Sequence, residues 1–117
     1  MITWILIILI VAFFVSRIIP VKGITNITVQ EAKNKGKDKR VQFIDVRTSG
    51  EYNGYNSKPF MNIPLSNLPA KIDTLDKNKE VVVICQSGMR STRAAKILKK
   101  HGFNKIYNVK GGMSAWK

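Results

Sequence analysis

The sequence predicts an α/β fold: a mostly parallel central sheet flanked by helices, preceded by one transmembrane helix. Three observations lead there. Short β-branched runs, "VQFIDV", "EVVVIC" and "NKIYNV", alternate with segments of helical periodicity, the pattern of strand–helix–strand crossovers. The run from Val81 to Ile84 is apolar at every position, as in a central strand covered on both faces. Residues 2 to 16, "ITWILIILIVAFFVS", carry no charge.

That N-terminal stretch stays apolar past Arg17 to Ile19. As a helix rising ~1.5 Å per residue it spans roughly 27 Å, close to the thickness of a hydrocarbon core. Trp4 is placed for one interface and Arg17 for the other. A cleaved signal peptide needs a basic start and a small-residue cleavage site, and "MIT" and "IIPV" supply neither. A core helix would show a polar face, and Trp4 to Val15 shows none. Residues 1–19 are therefore read as a membrane anchor, and "PVKGIT", residues 20–25, as a linker to a domain over 26–117. Basic side chains follow the anchor and none precedes it. The positive-inside rule then gives a single-pass protein of the cell membrane with its domain facing the cytoplasm.

Within the domain, "TVQE" (Thr28 to Glu31) has the form of a capping box, so a short helix begins there and decays into the solvated run "KNKGKDKR". "VQFIDV" is a strand ending at Asp45. "TSGE" (Thr48 to Glu51) is a second capping box, and Arg47 stands four residues before Glu51, a spacing at which the two can pair. "NGYNSKP" reads as loop and "MNIPL" as a short extended stretch limited by Pro64. Leu68, Ile72 and Leu75 have helical spacing within a predicted helix over 66–77. "STRAAKILKK" is the strongest helix of the domain, with Ala94, Ala95, Ile97 and Leu98 inward and Gly102 at the C′ position. "GGMSAW" is a turn into a short helix.

The formal net charge is +13, and without Arg17 and Lys22 there remain 18 basic against 7 acidic residues. The basic excess thus belongs to the domain, and such a surface attracts anionic lipid, nucleic acid or small anions. There is no zinc-ligand spacing and no stripe of alternating aromatic and basic residues, so nucleic acid is not read as a partner. The single cysteine, Cys85, excludes an internal disulfide and fits a reducing compartment.

Cys85 also carries the chemistry. It ends the apolar strand and opens "CQSGMRS", which runs into a helix. In open α/β sheets, ligands bind beyond the carboxyl ends of the strands. The helix that follows points its N-terminal N–H groups at that place. Backbone N–H groups of a tight loop form a nest for an anion, Gly88 supplies the curl, and Arg90 adds a charge. The same field stabilises a Cys85 thiolate. A structural cysteine ending a core strand would be capped by apolar neighbours, whereas Gln86, Ser87, Gly88 and Arg90 are not. His101, the sole histidine, sits at a helix C-terminus, a surface position. Met89 is read as pocket wall and Trp116 as packing.

From about Ile24 to Trp116 the chain resembles the single-domain rhodanese (sulfurtransferase) family. "DVRTSGEY", "NIPL", "VVVICQSGMRS" and "GGMSAW" match in order. The stretch before "NIPL" departs from the family's common pattern, having neither histidine nor glycine. The resemblance implies a Cys85 persulfide as catalytic intermediate, and the loop residues Gln86, Ser87, Gly88, Met89 and Arg90 around the substrate. Asp45, Arg47 and Glu51 are expected as structural support. Sulfur would pass from a small anionic donor such as thiosulfate to cyanide or a thiol, without cofactor or metal.

Two other readings compete. A cysteine phosphatase or arsenate reductase uses Cys-x5-Arg. Here the arginine is the fifth residue after Cys85, Ser91 is the sixth, and no resolving cysteine exists. A membrane-tethered persulfide relay or binding module serving a protein partner is the non-enzymatic alternative. Arg90 either faces the substrate anion or pairs with an acid such as Asp45.

Overall fold

The structure is a computed structural model that describes residues 2–18 and 23–116, with the side chains of residues 16–18 excepted. Five strands form one sheet in the order β1-β5-β4-β2-β3, and every neighbouring pair is parallel. The strands are β1 (Ile24–Ile27), β2 (Val41–Asp45), β3 (Met61–Asn62), β4 (Glu80–Ile84) and β5 (Ile106–Val109). β4 is central, and its alternation supplies both faces. Val81, Val83 and Cys85 point into one core with Leu68, Ile72, Ala94, Ala95 and Leu98. Val82 and Ile84 point into the other with Ala32, Phe43, Phe60, Met113 and Trp116. A strand buried on both faces cannot alternate polar and apolar residues, which is why its sequence is apolar throughout.

The helices of the domain are α2 (Val29–Lys35), α3 (Ser49–Gly54), α4 (Leu68–Lys71), α5 (Met89–Lys100) and α6 (Gly112–Ala115). Both predicted capping boxes form: the Thr28 and Thr48 hydroxyls accept the N–H groups of Glu31 and Glu51, whose carboxylates reach back to the cap backbones. α5 closes in a Schellman motif. Gly102, at φ +95°, lets its own N–H reach Lys99 O (3.2 Å) and that of Phe103 reach Leu98 O (3.2 Å).

Three expectations change. The helix predicted over 66–77 is three short pieces, a 3-10 turn at Leu65–Asn67, α4, and a 3-10 turn at Ile72–Thr74. Pro69 has no N–H to continue a helix from Leu65, so the chain restarts at Leu68. Leu68, Ile72 and Leu75 are nonetheless buried together. Second, Ile24 and Thr25, expected in the linker, form the start of edge strand β1 beside β5; the remainder of that linker, 20–22, lies outside the described residues.

Third, the expected transmembrane segment over 1–19 is not supported. The N-terminal helix α1 (Ile2–Ile18) has 17 residues, and among the described residues no helix is long and apolar enough to cross a membrane. At ~1.5 Å per residue α1 spans roughly 26 Å, short of a hydrocarbon core of ~30 Å. Its side chains from Ile2 to Val15 are exposed and pack against no part of the domain core. The side chain of Arg17, expected at an interface, lies outside the described residues, as do Met1, Ile19 and Lys117.

Candidate active site

Because all five strands are parallel, their C-terminal ends gather at one end of the domain, and Cys85 follows β4 at the centre of it. The loop from Cys85 to Gly88 is held by the last helix. The N–H groups of Met113 and Ser114 donate to Cys85 O (2.8 Å) and Gln86 O (3.0 Å), and the Ser114 hydroxyl adds a second bond to Gln86 O (2.9 Å). With those carbonyls pulled outward, the following N–H groups turn inward. Gly88, at φ +107°, completes the curl in a conformation that costs other L-residues about 1 kcal/mol or more. α6 can approach this closely only because residue 112 is glycine. Its φ is +56°, and a Cβ there would overlap the Cys85 carbonyl and lie 2.8 Å from Gln86 C.

The curl is aimed at the sulfur. Gly88 N–H donates to Cys85 Sγ at 2.9 Å, and Ser91 Oγ lies 3.3 Å from it. Burial pushes the thiol pKa up, but the Ser91 hydroxyl and the N–H groups of Ser91, Gly88 and Ser87 together bring it below its ordinary value. Cys85 is fully buried, whereas Gln86, Ser87 and Met89 are exposed around it. Met89, expected as a pocket wall, is 78% exposed and instead stands on the rim.

Two arginines brace the loop, with partners other than those expected. Arg47 does not pair with the Glu51 carboxylate. It is buried and grips Asp45 through Nε (3.1 and 3.0 Å) and Nη2 (2.7 Å), and its other bonds go to Tyr55 O (2.6 Å), Glu51 O (3.4 Å) and Gln86 Oε1 (3.4 Å). One guanidinium thus ties β2, α3 and the cysteine loop together. Asp45 being occupied, Arg90 pairs with Glu51 in a two-point contact, Nη1–Oε1 2.6 Å and Nη2–Oε2 2.9 Å. The Arg90 bond, against a smaller burial effect, holds the Glu51 carboxyl well below its ordinary range, at about 2. The pair is about a third exposed, so Arg90 is fixed at the site without being sealed from solvent.

Behind the sulfur lies a polar chain that sequence reasoning missed. Thr92 Oγ1 donates to Gly88 O (2.7 Å), so it accepts from Asn108 Nδ2 (3.1 Å), which also donates to Asn26 Oδ1 (3.2 Å). Asn108 Oδ1 therefore faces Ser91 Oγ as acceptor. The single Ser91 hydroxyl proton thus has two carbonyl acceptors, Asn108 Oδ1 and Gly88 O (3.1 Å), besides the sulfur 3.3 Å away. Turned to the sulfur, that proton favours the thiolate, and the two carbonyls compete with the sulfur for it. The available signal was an asparagine in the otherwise apolar strand "IYNV", next to the strand that carries the cysteine.

Fold and site together define a class: a single parallel α/β domain presenting one activated thiol in a loop of N–H groups. The chain belongs to the rhodanese-like family, whose domain matches residues 28–117. It is 44% identical over 80 residues to the putative sulfurtransferase YtwF of Bacillus subtilis, covering 68% of this chain and 77% of that protein. It is 31% identical over 91 residues to the thiosulfate sulfurtransferase GlpE of Shewanella oneidensis, covering 78% and 90%. A crystal structure of a rhodanese-like domain protein from Staphylococcus aureus superposes with a TM-score of 0.73 at 34% identity, covering 80% of this chain and 91% of that one.

Two predictions follow from this geometry. A hydrogen bond to an ionised group contributes ~1.5–3 kcal/mol, so Ser91→Ala should raise the pH midpoint of Cys85 alkylation by about one to two pH units. Asn108→Leu, which removes one of the two carbonyls competing with the sulfur for the Ser91 proton, should lower it. Midpoints that move in the same direction in both variants would contradict the assigned proton positions. For the outer pair, Glu51 has a depressed folded pKa. Its contribution to stability is complete above about 4.5 and is lost as pH falls toward about 2. Glu51→Gln should remove that part of the acid unfolding curve, measured by urea melts at stepped pH, while leaving the curve near neutrality parallel to the wild type.

Proposed function

We propose that this protein is a sulfurtransferase acting through a Cys85 persulfide. The observation that carries the reading is the convergence of Gly88 N–H, the other loop N–H groups and Ser91 Oγ on one sulfur. The Cys85 thiolate attacks the outer sulfur of thiosulfate. A new S–S bond forms as the old one breaks, and sulfite leaves with the electron pair. The inward N–H groups stabilise charge on the persulfide, and Arg90, held by Glu51, supplies positive charge for the anionic donor. Cyanide or a thiolate then takes the outer sulfur, and Cys85 departs as thiolate. Electrons balance without a redox cofactor. Cys85 is catalytic in this reading, and Gln86 to Arg90 bind substrate. Asp45, Arg47 and Glu51 position the loop.

The reading extends to location. We propose that α1 seats the protein in the cell membrane with the domain on the cytoplasmic side. The support is an uncharged helix surface that is exposed along Ile2 to Val15, with lysines and arginines only after it. A helix a few ångströms short of the bilayer is accommodated by local thinning at a modest cost.

The transfer test is thiocyanate formation from thiosulfate and cyanide by the full chain and by Cys85→Ser. The expected result is complete loss in the variant with an unchanged melting temperature, since a hydroxyl fills nearly the same space but cannot carry the sulfur. Equal rates would end the enzymatic reading. Persulfide on the isolated protein without turnover would point to a relay. For the tether, the full chain should sediment with membranes and its domain resist external protease in intact cells. Recovery wholly in the soluble fraction would sink it.

A further inference from the structure

The parallel sheet separates the two ends of the domain, and charge is divided unevenly between them. The segments leading into the strands, 35–40, 76–80 and 99–105, hold nine lysines and arginines against three acids. The segments leaving the strands, 27–31, 45–51, 85–90 and 110–113, hold three of each. At that far end Arg47 and Arg90 are neutralised by Asp45 and Glu51. Of the domain's net charge of +11, the strand-entry segments thus carry +6 and the segments at the Cys85 end none. Arg40, Lys77, Lys79 and Lys105 line one open groove there, with Asp76 and Glu80 as its acids. All four cations are exposed, and of them Arg40 is paired with Asp38.

The chain also joins the domain at this end. Gly23 O accepts the N–H of Ile106 (3.0 Å) at the start of β5, and a side chain at Gly23 would press on Lys99 Nζ. So Gly23, where the described domain begins, lies beside Lys99 and the start of β5.

We infer that the strand-entry end of the domain is a docking surface for an anionic phospholipid bilayer, which turns the Cys85 end away from the lipid. The inference rests on the proposed reading of Cys85 as the working end. A sulfur acceptor bound at the basic end would sit across the sheet from Cys85, so this surface does not serve the transfer itself. Exposed cations act within roughly 8 Å at physiological salt, the distance of a headgroup layer in contact. A cationic face at the end where the chain enters the domain, after an apolar helix in sequence, matches a layer of phosphates over hydrocarbon.

The test uses the full chain with vesicles of phosphatidylcholine, alone or one quarter phosphatidylglycerol. The expected result is binding about tenfold or more tighter to the anionic vesicles, lost in high salt. Lys77→Gln/Lys79→Gln/Lys105→Gln should erase most of that preference, and Lys110→Gln at the other end should not. The Cys85 alkylation rate reports that the fold is intact. For orientation, a fluorophore on Asn78→Cys or Gln30→Cys, each in a Cys85→Ser background, is challenged with a headgroup-labelled quencher lipid. Quenching at residue 78 and not at residue 30 is expected. No anionic preference, equal quenching, or tighter binding of duplex DNA than of anionic vesicles would overturn the inference. Failure to bind neutral vesicles would sink only the tethering role of α1, because the preference and orientation readouts do not depend on it.

Discussion

The site depends on which way two peptide groups point. Left alone, the carbonyls of Cys85 and Gln86 compete with the neighbouring N–H groups for the inside of the curl, and a carbonyl lining would repel a thiolate. Bonds from Met113 and Ser114 hold both carbonyls outside. The final helix is thus part of the anion site without contributing an atom to it. That contact exists because Gly112 has no Cβ and sits in the left-handed region, where other residues are strained. A glycine 27 positions from the cysteine in sequence decides the polarity of the cysteine's surroundings.

The arginines solve a second problem, that of placing two like charges near one anion site without mutual repulsion. Each has its own carboxylate. Arg47 and Asp45 are buried, where an unpaired charge would cost several kcal/mol. Their pairing is saturated by the backbone carbonyls of Tyr55 and Glu51. This makes Arg47 a joint between β2, α3 and Gln86, with little left to offer a ligand. Arg90 and Glu51 lie nearer solvent, and the surrounding charge is correspondingly more available. The two pairs differ in burial, Arg47 and Asp45 being sealed from solvent and Arg90 and Glu51 about a third exposed.

Much of this was legible in the sequence where the determinants are local. The capping boxes at Thr28 and Thr48 involve residues three apart, and both appeared as read. β4 and α5 announce themselves by pattern, and Cys85 by its neighbours. What could not be read was long-range choice. Arg47 could reach Glu51 by spacing, but Arg90, distant in sequence, takes that carboxylate once the loop is folded. β1 escaped because "ITNI" is a half-exposed edge strand with an asparagine, lacking the apolar run of its buried neighbours. Ser91 and Asn108 matter only because parallel pairing puts β5 beside β4.

The same parallel topology gives the molecule a direction. Strand ends that open into helices carry the glycines, the N–H groups and the matched charges, because tight turns toward helix N-termini are where backbone donors are free. The opposite ends carry no such constraint, and lysines can accumulate there at little cost to the fold. A basic excess spread over both ends would raise the potential around Cys85 indiscriminately and draw any anion to it. Keeping the strand-exit segments neutral on balance leaves the nearby charge at the sulfur to a few fixed donors and to Arg90, which the Glu51 carboxylate restrains. In the proposed reaction, selectivity for a small anionic donor would then rest on geometry close to the sulfur, and the bulk charge of the domain would be left to the proposed lipid surface.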